Sequence, residues 1–78
     1  MIKTYRKTAT IQAEQFDGSE EMIEKYDVKR WRGESFYLKT LEGHLLLNVG
    51  DWIATGVKGE HWAIADDVFK ETYAEVTE

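Results

Sequence analysis

The chain has 78 residues, ten Lys and Arg against fifteen Asp and Glu, a net charge of −5 and no cysteine. That is one small domain, residues 1–78, without disulfides or thiolate metal sites. The acidic balance disfavours non-specific binding to DNA or RNA, which depends on neutralising phosphates. No run approaches the roughly 20 apolar residues of a membrane span, and no apolar signal-peptide core follows the basic opening Met1–Lys7, so a soluble cytoplasmic protein is expected.

The elements follow in chain order. Thr8 to Phe16 reads as a strand, with Ala9, Ile11 and Ala13 alternating with Thr10, Gln12 and Glu14. Phe16 falls on the polar parity, which predicts a bulge or a strand end near Gln15. Asp17-Gly18 is a turn signal, and Ser19 caps a short helix whose first turn carries Glu20 and Glu21. Met22, Ile23 and Tyr26 share one helical face. The helix ends near Asp27-Val28, with Lys29 and Arg30 near its negative end and a loop beyond.

Ser35 to Leu41 reads as the next strand, with Phe36 and Leu38 on one face and Tyr37 and Lys39 on the other. Glu42-Gly43 is a hairpin turn, and His44 to Val49 returns with Leu45, Leu47 and Val49 inward and Leu46 outward. Gly50-Asp51 turns the chain into a strand from Trp52 to Thr55, because Gly50 tolerates positive φ and Asp51 can bond its own backbone just after it. Gly56-Val57-Lys58-Gly59 turns again into Glu60 to Ala65. Asp66 is expected to cap a last helical turn through Tyr73, with Val68, Phe69 and Tyr73 inward, and Ala74-Glu75-Val76 to add a strand beside the first. The sum is an α+β domain: an antiparallel meander curled into a partial, SH3-like barrel with one packed helix and a short C-terminal helical turn.

Little in the chain carries catalytic chemistry. His44 fits an exposed hairpin position, and His61 fits a hydrogen-bonded place in or beside the core. A metal site would need a third ligand brought near by the fold. Ser19 and Ser35 lack the surroundings of a nucleophile. The adjacent pairs Glu20-Glu21 and Asp66-Asp67 diverge, which disfavours a shared proton. Gly56-x-x-Gly59 is too short for a phosphate loop. No catalytic residue, metal or cofactor is expected.

Two groupings suit binding. In Lys29-Arg30-Trp31-Arg32, guanidinium groups can grip phosphate and the indole can stack a base, so this predicted loop could hold a nucleotide-like molecule. The plainer account, favoured on sequence, has Trp31 capping the core and its neighbours facing solvent. The last third is acidic, and Glu60, Trp62, Asp66 and Asp67 could form an acidic, aromatic face that docks on a basic host protein.

The segments Tyr5-Arg6-Lys7, Ala13-Glu14-Gln15-Phe16-Asp17-Gly18, Tyr37-Leu38-Lys39-Thr40-Leu41-Glu42-Gly43, Val49-Gly50-Asp51-Trp52-Ile53, Gly56-Val57-Lys58-Gly59-Glu60 and Asp67-Val68-Phe69-Lys70-Glu71-Thr72-Tyr73 give a further clue. In this order the chain resembles a family of small uncharacterised phage and prophage proteins with a Pro-Gly-Asp-Tyr-Gly-like turn. Val49 stands at the place of the Pro, and Trp52 and Ile53 at those of the Tyr and Gly. The resemblance implies an accessory protein working by binding in the host bacterial cytoplasm, inhibiting a host process such as antiviral defence. A structural virion or assembly component is the alternative. A homodimer through Leu46 or the Trp52 strand is also expected, because ten aromatics and open sheet edges are hard for so small a monomer to cover. The opposing possibility is that the first and last strands pair, closing the barrel, while the helix covers Leu46.

Overall fold

The computed structural model describes residues 1–5, 10–31 and 35–76. Within them run β1 (Gln12–Gln15), α1 (Glu20–Lys25), β2 (Lys29–Trp31), β3 (Ser35–Thr40), β4 (Gly43–Leu47), β5 (Trp52–Thr55), β6 (His61–Ile64) and α2 (Asp66–Thr72). The expectations on Thr8, Ala9 and Arg32 lie outside the described residues. The fold is α+β. The six strands form two antiparallel sheets, ordered β1-β5-β6 and β2-β3-β4, which do not close into a barrel.

Both sheets and α1 feed one core of Phe16, Met22, Val28, Leu38, Leu47 and Ile53. The register Gln12↔Thr55 to Gln15↔Trp52 is unbroken, so β1 has a strand end at Gln15 and no bulge. Phe16 lies just past that end, 1% exposed, with its ring edge-on to Phe36 of β3 at 5.1 Å. The polar parity of β1 is therefore the side facing the core. Across the sheet, Ile11 and Ala13 share the other side with Trp52 and Ala54, over which α2 lies: Trp52 stacks on Phe69 at 4.1 Å and Phe69 on Tyr73 at 5.2 Å. This cover leaves Ala54 fully buried.

Local chemistry explains the ends of α1. Ser19 Oγ accepts from the Met22 N–H, a side-chain cap at the helix start. At the far end, Asp27 takes φ +53, the Val28 N–H donates to the Ile23 carbonyl and the Asp27 N–H to that of Glu24. That pair of bonds is a Schellman closure, and it drops Val28 into the core beside Ile23. The chain then emerges as β2, where the sequence had suggested a loop. Three residues, Lys-Arg-Trp, carry no alternating apolar pattern, and β2 owes its form to pairing with the edge of β3.

The β3–β4 turn is Leu41-Glu42, one residue earlier than expected, with Gly43 at φ +118 opening β4. Of the three residues expected inward on the return strand, only Leu47 is buried. Leu45 is 43% exposed because β4 is a sheet edge, and Val49 is 62% exposed because it sits at the corner of the next turn. Helix α2 begins after Ala65, which makes no side-chain cap bond, and Asp66 is its first residue rather than its cap. Val68 faces solvent while Phe69 and Tyr73 pack inward, and residues 74–76 belong to no strand.

The turn Asn48-Val49-Gly50-Asp51 closes with the Asp51 N–H on the Asn48 carbonyl at 3.0 Å, and Gly50 takes φ +102. Asp51 Oδ2 accepts from the Asn48 N–H, reaching back along the chain rather than forward. Positive φ in the third of four residues is the type II arrangement, which favours Pro in the second. Val49 holds that second place, is exposed, and donates its N–H to no described residue. Val49→Pro is expected to stabilise the protein by about 0.4–1 kcal/mol by restricting the unfolded chain, read as a higher urea midpoint at unchanged m-value.

Candidate binding face

Cross-strand pairing assembles this face from three segments. Lys29 lies opposite Tyr37, Trp31 opposite Ser35, Tyr37 opposite Leu46, and Lys39 opposite His44. Alternation puts all of these on the outer face of the sheet β2-β3-β4, and puts Arg30, Phe36, Leu38, Leu45 and Leu47 on the inner face. The outer face bears cations and aromatics, with no acidic side chain among its described strand residues. Trp31 is 61% exposed there. A groove of about 410 Å³ is lined by Lys29, Arg30, Trp31, Tyr37 and His44.

The basic cluster read from sequence is thus divided by the strand. Lys29 shares the face of Trp31 and reaches Asp27 at 3.0 Å in an exposed pair of little energetic consequence. The Arg30 guanidinium turns to the other side, 3.3 Å from Glu20 of α1 and 5.4 Å over the Phe36 ring. Its contacts tie α1 to β2. Trp31 stands open on a sheet face and does not cap the core. Tyr37 and His44 belong to the groove but carried no local signal, because the register that brings them beside Trp31 is a property of the folded sheet. An indole, a phenol, an imidazole and an ammonium around an open groove can stack a planar ring and attract a negative charge.

The acidic grouping does not form one site. Glu60 and Trp62 border a pocket of about 210 Å³ with Leu41 and Leu45, while Asp66 and Asp67 open α2 beyond the other end of β6, roughly 20 Å along an extended chain. Glu60 Oε1 accepts from the Lys58 N–H and its carbonyl from the Gly56 N–H, which fixes the β5–β6 turn. A Cβ at Gly56 would overlap the Glu60 carboxylate. Asp66 Oδ1 accepts from Trp52 Nε1 at 2.9 Å and Gln15 Nε2 at 3.4 Å, and Oδ2 pairs with Lys70 at 3.0 Å. Asp67 remains exposed, accepting from the N–H of Val68.

A polar cluster unmarked in the sequence lies between β1, α1 and β6. Tyr26 donates its hydroxyl to Glu14 at 2.6 Å, and Lys25 Nζ meets the same oxygen at 2.7 Å. Those two bonds hold the Glu14 carboxyl below its ordinary value, while burial and then Glu14 push the Tyr26 phenol up. His61 places its ring edge against Tyr26 at 5.3 Å, and its Nδ1 lies 3.0 Å from the Thr55 hydroxyl, so its partner is a hydroxyl rather than a carboxylate. Among the described residues no group of three His, Cys, Asp or Glu could hold a metal ion. No helix of the described residues is long and apolar enough to cross a membrane.

The Trp52 indole, then Lys70, holds the Asp66 carboxyl below its ordinary 3.8. A depressed carboxylate stabilises the fold at pH above its unfolded value, and that stability is lost as pH falls through the lower, folded one. Urea midpoints are therefore expected to drop as the solution is acidified below 3.8. In Trp52→Phe, which keeps a ring on Phe69 but removes the donor, this acid dependence is expected to be shallower.

No family model, curated protein or solved structure matches this chain. Its function is therefore read from the geometry above.

Proposed function

We propose that this protein acts by binding rather than catalysis, holding a nucleotide-like ligand on the outer face of β2-β3-β4. The observation that carries the proposal is the groove in which Lys29, Trp31, Tyr37 and His44 meet on a face without acidic strand residues. The ligand's base stacks on Trp31 and Tyr37, and Lys29 attracts its phosphate, with His44 beside it. A net charge of −5 suits a small ligand held locally better than a long nucleic acid. In this proposal the protein is a phage or prophage accessory protein in the host bacterial cytoplasm. Sequestering a nucleotide signal would blunt a host process such as antiviral defence. Support for that setting comes from the family resemblance. The competing idea of an acidic face docked on a host protein is weaker, since Glu60 and Asp66 are engaged within the chain.

One observation favours a second occupant of the same face. Leu46 is 54% exposed on the edge strand β4, opposite Tyr37. A homodimer through Leu46 would cover the groove, so the two readings exclude each other. The alternative interface is disfavoured, because β5 is a central strand and Trp52 lies beneath Phe69.

The test is a thermal-shift screen with nucleoside mono-, di- and triphosphates and cyclic nucleotides, run beside light scattering. A stabilising nucleotide is expected, with affinity reduced about 5- to 150-fold in Trp31→Ala, the loss of one stacked base, and reduced also in Lys29→Ala. No stabilisation by any nucleotide, or equal binding by Trp31→Ala, would overturn the proposal. A mass near 9.1 kDa at all concentrations excludes the dimer. A doubled mass that Leu46→Lys restores to one chain favours it over the ligand. Recovery of the protein in purified virions would favour the structural role.

A further inference from the structure

The outer face of β2-β3-β4 changes character along its strands. Cross-strand register sorts its described side chains into three rows. Trp31 and Ser35 form the first row. Lys29, Tyr37 and Leu46 form the second, with Tyr37 in the middle. Lys39 and His44 form the third. Neighbouring rows on one face are two residues apart, roughly 7 Å, which sets the first and third rows about 13 Å apart.

The first row holds an indole and a hydroxyl and no charge. The third holds an ammonium and an imidazole. Lys39 lies past the residues that line the groove and is exposed. It has no ion-pair partner among the described residues, whereas Lys29 shares its charge with Asp27. The carboxylate of the adjoining turn does not answer Lys39 either. Glu42 borders the pocket of Leu45 and Trp62, on the other side of the sheet. The unneutralised cation of this face therefore stands at the end farthest from Trp31.

A ring held on Trp31 and Tyr37 has one cation, Lys29, beside it and a second, Lys39, one row further along. A single phosphate, or one closed into a ring on its own sugar, reaches only the nearer. A linear chain of phosphates reaches both. Resting on the reading of this face as a nucleotide site, we infer that its ligand is a nucleoside 5′-diphosphate or triphosphate laid along β3. Its base sits at Trp31, and its phosphate chain runs past Lys29 to Lys39 and His44. Lys39 reads the length of that chain, as a flexible point charge that meets phosphate without demanding one orientation. Stacking, which every base provides, leaves the base less closely specified.

The probes are the mono-, di- and triphosphates of adenosine and guanosine and their 3′,5′-cyclic monophosphates. Each is titrated calorimetrically into the whole protein without divalent cations, at one ionic strength. Affinity is expected to rise about fivefold from mono- to triphosphate, the upper range for one exposed ion pair, with the cyclic forms no tighter than the monophosphates. Lys39→Ala is expected to bring the triphosphate down to the monophosphate and leave the monophosphate unchanged, while Lys39→Arg keeps the rise. Lys58→Ala, which removes a cation from the β5–β6 turn, is expected to keep it as well. Trp31→Ala is expected to weaken every probe. Equal affinity for mono- and triphosphate, with binding still dependent on Trp31, would overturn this inference and leave the stacking site standing. A rise that Lys58→Ala removes as fully as Lys39→Ala would overturn it in favour of general charge attraction. No binding by any probe, or none that depends on Trp31, would overturn both the inference and the nucleotide site beneath it.

Discussion

The structure turns on how Phe16 is held. Its N–H donates to the Asp51 carbonyl and its carbonyl accepts from the Gly50 N–H, both at 2.8 Å. One residue thus docks the end of β1 onto the turn that links the two sheets. Its ring meanwhile enters the shared core and meets Phe36 edge-on. Backbone groups buried beside such a ring must find partners, and the turn supplies them. Gln15 adds its side-chain amide to the Gly50 carbonyl and reaches Asp66 of α2. Turn, strand end, core and second helix therefore meet within two residues. A domain of this size has little core with which to hold two sheets by packing alone, so this junction carries much of the specificity of the arrangement.

Much of the fold was legible in the sequence, for local reasons. Ser19 caps α1 by a bond to a residue three positions on, and Gly43 and Gly50 sit where the backbone needs positive φ. Such signals are written beside the elements they shape. β2 was not legible, because Lys29–Trp31 has no period of its own and takes its form from β3. The inward reading of Leu45 failed for a related reason: periodicity identifies a face but cannot say that the strand lies at a sheet edge.

The candidate site divides along the same line. Trp31 and Lys29 drew notice as neighbours in sequence, and both stand on the proposed face. Arg30, between them, also borders the groove, but the strand turns its guanidinium away, toward Glu20. Tyr37 and His44 enter only through register. The acidic residues taught the converse. Asp66 looked like a helix cap or a docking charge, and the Trp52 indole fourteen positions away claims it. A carboxylate beside aromatics has more bonding options than its sequence neighbours disclose.

The pairing of β1 with β5 has a consequence for how the chain acquires its form. β2, β3 and β4 are contiguous and can zip from the Leu41-Glu42 turn outward, at low entropic cost. β1 must wait for residue 52 and close a long loop before Gln15 meets Trp52. During synthesis from the N-terminus the first strand therefore leaves the ribosome long before its partner exists. The hairpin of β5 and β6 forms next, with Ile53 and Ala54 on a strand whose outer side is still open. Phe16 can seat only once Gly50 and Asp51 are in place to bond it, and until β1 arrives the free side of β5 is open to pairing. The chain's own excess of negative charge keeps such intermediates apart while they wait.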